Sequence, residues 1–332
     1  MRLATRANGT PDGELVVVSQ DGARCLPAGN KVPNLLAAIG DWGSASATLQ
    51  ALVNRLEQGE GEPLEVASLA APMPRSWQWL DGSAFDTHGE LMQIAFEQDP
   101  LHHERPLMYQ GMSDRFLAPR EDVAFPREED GVDFEGEFGV IVDAVPMGVT
   151  PEEALDHIKL VVQINDWSLR AFAVPELVTG FGFFLAKPAS TIAPFAVTPD
   201  ELGDAWQGSV IHLPLMVDYN GQPFGRANAG VDATFSLAEL VAHAAKTRDL
   251  GAGTIIGSGT VSNQGPDGDP GKPVAEGGLG YSCIAEIRMI ETIADGEAKT
   301  RFMEPGDTVR VEMKDKDGHS IFGAIEQKVV EA

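Results

Sequence analysis

The sequence predicts a mainly β protein with some α-helix, in which a small β-rich N-terminal domain precedes a larger domain built from short strands. The first observation is that apolar or alternating segments of strand type recur through most of the chain. The second is a pair of tight-turn dipeptides, Asn220-Gly221 and Asp317-Gly318, each flanked by the apolar alternation typical of a hairpin. The third is the proline-bearing segment APMPRSW at 71–77, which separates stretches of different character. We therefore expect domains at 1–72 and 73–332.

The N-terminal domain begins with strand-like sequence and continues with helical sequence. The segment ELVVVSQDGARCL has the apolar, β-branched content of strands. It is followed by NLLAAIGDW and ATLQALVNRLEQG, in which apolar residues recur at helical spacing. We expect short strands and then two short helices.

The larger domain combines strand segments with two capped helices. Thr150 with Glu153, and Ser236 with Glu239, have the spacing of capping boxes, and a proline follows Thr150 at the first helical position. Each box predicts a helix. The predicted strand segments are GEFGVIVDAV, LVVQINDW, IHLPLMVDYNGQPF, GTIIGSGTV, SCIAEIRMI and DTVRVEMKDKDGHSIFGAIEQKVV.

Composition argues against several classes of function. The 332 residues include 50 acidic and 24 basic ones, and the formal net charge of −26 disfavours binding to nucleic acid or to an anionic membrane surface. No apolar run approaches the roughly 20 residues of a membrane helix, and the N-terminus lacks an apolar signal core. Because the chain has only two cysteines, Cys25 and Cys283, we expect no disulfide framework, a reducing compartment and a cytoplasmic protein.

Three carboxylates occur in GVDFEGEFGVIVD at 131–143, a segment otherwise typical of a core strand. Side chains alternate faces along a strand, so Asp133, Glu135 and Glu137 would share one face while the two phenylalanines point to the other. If the acidic face met solvent, this would be an ordinary amphipathic strand. If it were buried, repulsion between like charges would require a cation, and a divalent cation that prefers oxygen ligands would fit. The residues alone leave both alternatives open.

Further oxygen ligands would have to come from elsewhere in the chain. Asp166 follows the apolar residues of LVVQIN, at the end of a strand predicted to be buried. Asp81, in WQWLDGSAFDTH, is predicted to lie in a loop after two tryptophans. Spacing alone does not select these two among the 50 acidic residues.

Several short motifs follow one another in an order known from one protein family. Glu-x-Glu in DFEGEFGVIV is followed about thirty residues later by INDWSLR. DGSAFDTH at 81–88 and PLMYQG at 106–111 precede these two motifs, and LAKPASTIAPF, GSGTVS at 257–262 and AEI at 285–287 follow them. This order resembles that of the fumarylacetoacetate hydrolase family from residue 81 to residue 287. The resemblance implies the mixed β-roll of fumarylacetoacetase for the larger domain.

The resemblance also implies a set of site residues. His88 would be the general base, and Glu286, predicted to lie on a strand, would accept a hydrogen bond from it. Lys187 would bind the substrate's oxygens and neutralise developing negative charge, with Ser190 or Thr191 close by. Carried over position by position, the metal ligands are Asp81, Glu135, Glu137 and Asp166, the catalytic residues are His88, Glu286 and Lys187, and the substrate-binding residues are Tyr109, Ser190, Thr191 and Thr260.

The chemistry that this resemblance implies is metal-dependent cleavage of a carbon-carbon bond in a 1,3-diketone acid, such as an acylpyruvate, in the catabolism of small acids. The cofactor would be a divalent cation, Mg²⁺ in the first place and Mn²⁺ or Ca²⁺ as alternatives, and the protein would be a homodimer. Isomerisation, hydration or decarboxylation of a metal-chelated 2-oxo dioic acid is the alternative, because family members use the same site for these reactions. A metal-stabilised binding protein without turnover and a calcium-binding structural module are two further hypotheses.

Two segments depart from the family pattern. HGELMQIAFEQDP, which begins at His88, has no arginine, and SLRAFAVPELV lacks the glutamine and tyrosine expected near a substrate. A fumaryl chain is therefore not predicted as the substrate. The glycine-rich segment 263–280 suits a lid over the site or a solvated connection equally well.

Overall fold

A computed structural model describes residues 1–95, 105–266 and 268–332, and for 92–95 it describes the backbone alone. Part of HGELMQIAFEQDP, and residue 267 of the segment 263–280, lie outside the described residues. The strands are β1 Arg2–Arg6, β2 Glu14–Val18, β3 Arg24–Pro27, β4 Glu62–Pro63, β5 Leu69–Ala70, β6 Trp79–Gly82, β7 Met108–Gly111, β8 Val123–Phe125, β9 Val132–Asp133, β10 Gly136–Val142, β11 Ile158–Asn165, β12 Ser168–Leu169, β13 Thr191–Ile192, β14 Ala196–Val197, β15 Trp206–Gln207, β16 Val210–Ile211, β17 Leu215–Tyr219, β18 Gln222–Gly225, β19 Ile255–Gly257, β20 Thr308–Met313 and β21 Ile325–Glu331. The helices are α1 Leu35–Gly40, α2 Trp42–Glu57, α3 Asp86–Ala95, α4 Pro151–Ala154, α5 Arg170–Leu177, α6 Leu237–Ala244 and α7 Ile284–Asp295.

Twelve of the described strands form one large sheet. Its main path runs in the order β4-β3-β2-β1-β14-β11-β10-β19-β6-β7, with β5 paired to β1 and β13 paired to β11. Strands β19 and β6 are parallel, and their register places Gly257 opposite Asp81. Arg2 of β1 pairs with Val197 of β14, so strands from the N-terminal and C-terminal parts of the chain belong to the same sheet.

The large sheet has a hydrophobic layer on each face. On one face, Phe138, Val140 and Val142 of β10 belong to the core shared with a second sheet, whose order is β18-β17-β20-β21-β8. On the other face, Ile141 belongs to the core that includes the buried residues of α1 and α2. The alternation along β10 agrees with the predicted two-faced strand, and it gives Glu137 the same orientation as Ile141.

The fold class, mainly β with some α, is confirmed, and so are several local signals. Asn220 and Gly221 form the two-residue turn between β17 and β18, with φ of 49° and 72°, which is the left-handed conformation that such a turn requires. The capping boxes of Thr150 and Ser236 are both formed, at the starts of α4 and α6. The two helical patterns of the N-terminal part correspond to α1 and α2.

The turn at Asp317-Gly318 exists, but it does not join β20 directly to β21. The Asp315 carboxylate accepts hydrogen bonds from the backbone N–H groups of Asp317 and His319, which closes the turn. The two strands pair only from Val311 and Ile325 outwards. The connection is therefore longer than the tight hairpin that the dipeptide predicts.

Three predictions of local structure are wrong. Asp81 lies on β6 and not in a loop, because the parallel pairing with β19 extends the strand through it. The segment SCIAEIRMI begins helix α7 and is not a strand, because the Asp133 carboxylate accepts hydrogen bonds from the first N–H groups of that helix. GTIIGSGTV is a strand only at β19, because Gly259, with φ of 74°, takes the chain out of the extended conformation.

The proline-bearing segment at 71–77 is packed against its neighbours over much of its length. Ala71 and Met73 are buried, and the Thr5 hydroxyl donates a hydrogen bond to the Pro72 carbonyl oxygen at 2.6 Å. The domain boundary at 72/73 stays a prediction. None of the described helices is long and apolar enough to cross a membrane.

Candidate metal and catalytic site

Three buried carboxylates converge where three strands of the large sheet lie near one another. Asp81 is on β6, Glu137 is on β10, and Asp166 directly follows β11. One oxygen from each of these side chains lies within 4.8 Å of those of the other two. Their residues are 4%, 0% and 0% exposed, respectively, so the negative charges are screened hardly at all by solvent. We call Asp81, Glu137 and Asp166 the three-carboxylate cluster.

Glycines hold Asp81 in place. The backbone N–H of Gly259 donates a hydrogen bond to Asp81 Oδ1 at 3.0 Å. A Cβ atom on Gly257 would lie only 2.4 Å from the same oxygen and 2.4 Å from the Trp79 ring, so a larger residue does not fit. This is the structural reason for Gly257, and at Gly259 a Cβ atom would lie only 2.3 Å from the Gly82 carbonyl oxygen.

Glu137 is the least satisfied member of the cluster. Both of its carboxylate oxygens are buried and accept no hydrogen bond from the described part of the chain. Burial and the charges of Asp81 and Asp166 raise the pKa of Glu137 well above its ordinary value, and burial and the charge of Asp166 raise the pKa of Asp81. Buried oxygens without donors are what a hard divalent cation would satisfy, so the donor set fits such an ion.

Asp166 is satisfied by neighbouring donors. The Ser190 hydroxyl donates to Oδ1 at 2.6 Å, while the Tyr109 hydroxyl and Lys187 Nζ donate to Oδ2 at 2.5 and 2.7 Å. Burial and the nearby charge of Asp166 raise the pKa of Tyr109 well above its ordinary value. The Phe183 ring packs against Tyr109 with ring centroids 5.3 Å apart. Three residues that the resemblance implies therefore surround one carboxylate.

Glu135 is paired with basic side chains. It accepts a hydrogen bond from Lys187 Nζ and forms an ion pair with Arg170 Nη2 at 2.7 Å. Burial alone would raise the pKa of Glu135, but the charges of Lys187 and Arg170 outweigh it and hold the pKa well below its ordinary value. Burial alone would lower the pKa of Lys187, but the charges of Asp166 and Glu135 outweigh it and raise that pKa above its ordinary value. The assignment of Glu135 as a metal ligand stays a prediction.

Asp133, the third carboxylate of the segment, has a structural partner. Besides accepting the first N–H groups of α7, it pairs with Arg170, whose Nε lies 2.9 Å from Oδ2. Arg170 therefore links Asp133 to Glu135, a role that sequence reasoning missed. An arginine two residues after the NDWS motif, in INDWSLR, was the available signal.

His88 and Glu286 are in contact with each other. His88 Nδ1 lies 3.0 Å from Glu286 Oε1, on helices α3 and α7, which pack against each other. Glu286 is 2% exposed, whereas the His88 side chain is 19% exposed, so the histidine faces the more open side. The pair that the resemblance implies is in contact, although Glu286 is on a helix and not on a strand. The helical signal was the apolar spacing of IAEIRMIETIAD, which ends before Gly296.

The two hydroxyls after Lys187 have different surroundings. Ser190 contacts the cluster through Asp166, whereas Thr191 is turned into the core. The Thr191 hydroxyl donates to Gln327 Oε1 at 2.8 Å and lies 3.2 Å from Trp167 Nε1. Thr260 is buried. The chain on either side of it is fixed to β10, because the backbone N–H groups of Ser258 and Val261 donate to the carbonyl oxygens of Phe138 and Gly136.

Comparison with known proteins agrees with this architecture. Residues 78–330 match the family described as fumarylacetoacetate (FAA) hydrolase C-terminal, and residues 1–75 match the one described as fumarylacetoacetase N-terminal domain 2. The chain belongs to the fumarylacetoacetate hydrolase family.

Individual relatives are distant. The 2,4-didehydro-3-deoxy-L-rhamnonate hydrolase of Sphingomonas sp. (strain SKA58) is 26% identical over 168 residues, which cover 50% of this chain and 56% of that protein. The match thus spans little more than half the length of such curated relatives. Maleylpyruvate hydrolase from Sphingobium sp. SYK-6, solved with manganese(II) and pyruvate, is 17% identical with a TM-score of 0.65 and 100% coverage of both chains. The 5-carboxymethyl-2-hydroxymuconate delta-isomerase of Mycobacterium smegmatis is 17% identical with a TM-score of 0.59, over 100% and 99% of the chains. At these identities the structural likeness shows the fold alone.

Proposed function

We propose that the protein is a divalent-cation-dependent hydrolase that cleaves a carbon-carbon bond in a 1,3-diketone acid of the acylpyruvate type. The observation that carries the proposal is the three-carboxylate cluster with its unsatisfied Glu137, taken together with the contact between His88 and Glu286. Two fold neighbours, the maleylpyruvate hydrolase and the 5-carboxymethyl-2-hydroxymuconate delta-isomerase, support the substrate class.

Asp81, Glu137 and Asp166 would hold the cation, with Glu135 as the fourth ligand that the family resemblance implies. A divalent cation bound there supplies Lewis-acid polarisation of the two ketone oxygens of the substrate. Mg²⁺ is our first choice, and the manganese complex of the Sphingobium maleylpyruvate hydrolase supports a divalent ion of this kind.

His88 would act as the general base. If its Nδ1–H donates to Glu286, then Nε2 carries the lone pair and can take a proton from a water molecule at the substrate carbonyl. The hydroxide adds to that carbon, the carbon-carbon bond breaks, and the released carbon fragment takes up a proton, so two acids are formed. Glu286 would fix the ring orientation and stabilise the charged imidazole.

Lys187, Tyr109 and Ser190 would bind the substrate's oxygens. All three donate to Asp166, so they form a group of donors at the edge of the three-carboxylate cluster. The positive charge of Lys187 would oppose the negative charge that develops on oxygen during the reaction. Thr260 would contribute from GSGTVS at 257–262, as the resemblance implies.

The choice between the two neighbouring hydroxyls can be tested by a matched pair of variants. We expect Ser190→Ala to lower kcat/KM by roughly tenfold or more, because it removes a donor next to the cluster. Thr191→Val should leave kcat/KM within about twofold and lower stability by about 1 kcal/mol, because its hydroxyl serves Gln327 in the core. The opposite pattern would assign the substrate contact to Thr191.

The activity itself is tested by following the loss of enolate absorbance in a panel of acylpyruvates and diketo acids, with Mg²⁺, with Mn²⁺ and with chelator. We expect cation-dependent cleavage that disappears in His88→Ala and is kept in the control His319→Ala, a histidine on the exposed turn after β20. Absence of cleavage on every compound would refute the hydrolase proposal.

Isomerisation or decarboxylation of a 2-oxo dioic acid is the second candidate, and the isomerase from Mycobacterium smegmatis among the fold neighbours is the observation that favours it. These reactions need no water-activating base. Cation-dependent turnover that persists in His88→Ala would therefore support this candidate over hydrolysis.

A homodimer is also part of the proposal, and the segment 174–185 is the surface that we assign to it. Between Arg170 and Lys187 the chain exposes Leu177, Val178, Phe181 and Phe184, the phenylalanines at 97% and 82%. The segment's acidic residue, Glu176, is engaged in accepting hydrogen bonds from the N–H groups of 184–186. A largely apolar surface, whose carboxylate is already hydrogen-bonded within the segment, suits a second copy of a chain of net charge −26, because that contact limits charge repulsion.

Light scattering after gel filtration tests this assignment. Phe181→Asp should convert a dimer to a monomer, whereas Met147→Asp, at a separate exposed apolar residue, should not. A monomeric wild-type protein, or a dimer that survives Phe181→Asp, would contradict it.

Both cysteines are free and buried, which supports the proposed cytoplasmic, reducing location.

A further inference from the structure

Cys283 is a metal-ligating side chain for which the proposed reaction has no use. It is the N-cap residue of α7, is fully buried, and its side chain makes no capping hydrogen bond to the helix. His88, Cys283 and Glu286 each place one ligand atom within 4.8 Å of the other two. The three residues come from the packed helices α3 and α7, so the helix packing keeps them together.

This donor set differs in chemical type from the three-carboxylate cluster. A thiolate, an imidazole nitrogen and one carboxylate oxygen match the preferences of Zn²⁺ and Cd²⁺, whereas Mg²⁺ and Ca²⁺ prefer oxygen ligands alone. Three protein ligands and one open position are also the usual composition of a zinc site that keeps a water.

The geometry allows such an ion after a small adjustment. Zinc bonds of about 2.0–2.3 Å place tetrahedral ligand atoms roughly 3.5 Å apart, and because the three ligand atoms lie within 4.8 Å of one another, they have to close by at most about 1.3 Å. His88 and Glu286 are already 3.0 Å apart. The His88 side chain is 19% exposed, which gives it room to move and gives the ion a route from solvent.

We propose that His88, Cys283 and Glu286 form a second, thiophilic metal site, and that a zinc-like ion bound there inhibits the enzyme. The ion would take the electron pairs of His88 and Glu286 that otherwise share a proton between them. His88 could then no longer be held by Glu286 as a base. The inhibition rests on the proposed function, but the binding does not.

Cadmium binding to the full-length protein in the presence of excess Mg²⁺ tests the site directly. Thiolate coordination to Cd²⁺ gives an ultraviolet charge-transfer absorption. We expect one cadmium per chain to produce this absorption in the wild type and in Cys25→Ser, and none in Cys283→Ser. Cys25, on β3, is the matched control because it is as buried as Cys283. Its Sγ atom contacts the Arg6 guanidinium and belongs to neither cluster. No absorption in the wild type, or absorption retained in Cys283→Ser, overturns the site.

A second variant keeps the test valid if Cys283→Ser does not fold. His88→Ala retains the thiol, and we expect it to weaken Cd²⁺ binding by more than about tenfold because one ligand is lost. Unchanged affinity in His88→Ala would overturn the three-residue site.

Inhibition is measured separately. One equivalent of Zn²⁺ in excess Mg²⁺ should lower acylpyruvate turnover by at least about tenfold in Cys25→Ser and by less than about twofold in Cys283→Ser. Equal inhibition of the two variants would overturn the inhibitory role. Failure of the proposed function would instead appear as no turnover before zinc is added, and the cadmium absorption would still report the site.

Discussion

Glu137→Gln removes one charge from the three-carboxylate cluster, and we expect it to stabilise the protein when no divalent cation is present. One oxygen of each cluster residue lies at most 4.8 Å from those of the other two, and at an effective dielectric constant of about 20 two such charges repel by about 3.5 kcal/mol or more. Lys187 and proton uptake relieve part of this, because the pKa of Glu137 is raised by burial and by its acidic neighbours. We therefore expect a net gain of about 1–2 kcal/mol in the free energy of unfolding.

The same variant should behave in the opposite way when a cation is present. With Mg²⁺ at about 100 times its dissociation constant, binding to the native state alone stabilises the wild type by about 2.7 kcal/mol. Glu137→Gln should gain much less, because it replaces an anionic ligand by a neutral amide. The order of stability should thus reverse between chelator and Mg²⁺.

Urea denaturation in chelator and in Mg²⁺, followed by circular dichroism, measures both effects. Glu297→Gln, at an exposed residue after α7, is the control and should match the wild type in both buffers. A variant that is less stable than the wild type in chelator would refute the repulsion. A variant that keeps the full Mg²⁺ stabilisation would refute the assignment of Glu137 as a ligand.

Two further predictions concern Gly257 in GSGTVS and Asp307, which directly precedes β20. Gly257→Ala should destabilise the protein by about 1–3 kcal/mol and weaken cation binding, because its Cβ would lie 2.4 Å from Asp81 Oδ1. Gly251→Ala is the control, because a Cβ there meets no atom within 4 Å, and it should change neither stability nor cation binding. Thermal unfolding with and without Mg²⁺ measures both effects. Asp307→Asn should lower the free energy of unfolding by about 1–2 kcal/mol at neutral pH, because Arg301 and other donors bind the carboxylate. Partial burial alone would raise the pKa of Asp307, but these donors outweigh it and hold the pKa below its ordinary value. Since a lowered pKa gives stability that is present above about pH 4 and lost as the pH falls further, the difference between wild type and variant should shrink in acid denaturation below pH 4. A difference that stays constant down to pH 2 would contradict this account.

The sequence was sufficient for features that depend on neighbouring residues. The capping boxes at Thr150 and Ser236 and the turn at Asn220-Gly221 form because their hydrogen bonds and dihedral angles are local. The alternation along β10 was also readable, because the period of two is a property of one strand.

The surroundings of the acidic residues depend on strand pairs and ion pairs between residues far apart in the chain, and these pairs could not be predicted from the sequence. Asp81 reaches the cluster through the parallel register of β6 with β19, about 175 residues later. Asp133 and Glu135 have different partners from Glu137, because Arg170 and Lys187 approach from outside the strand. Only the family resemblance, not spacing, singled out Asp81 and Asp166 beforehand.

The pairing of Arg2 with Val197 joins the first strands of the chain to the sheet that carries the three-carboxylate cluster. A truncated chain that began near residue 73 would leave β14 with open backbone donors and acceptors along an edge strand, because β14 would lose its pairing with β1. It would also uncover Leu160, Val162 and Ile164, which α1, α2 and the first strands now cover. One face of β11, the strand that leads directly to Asp166, would then border solvent, so the truncated chain should aggregate and lose the preorganised position of that carboxylate.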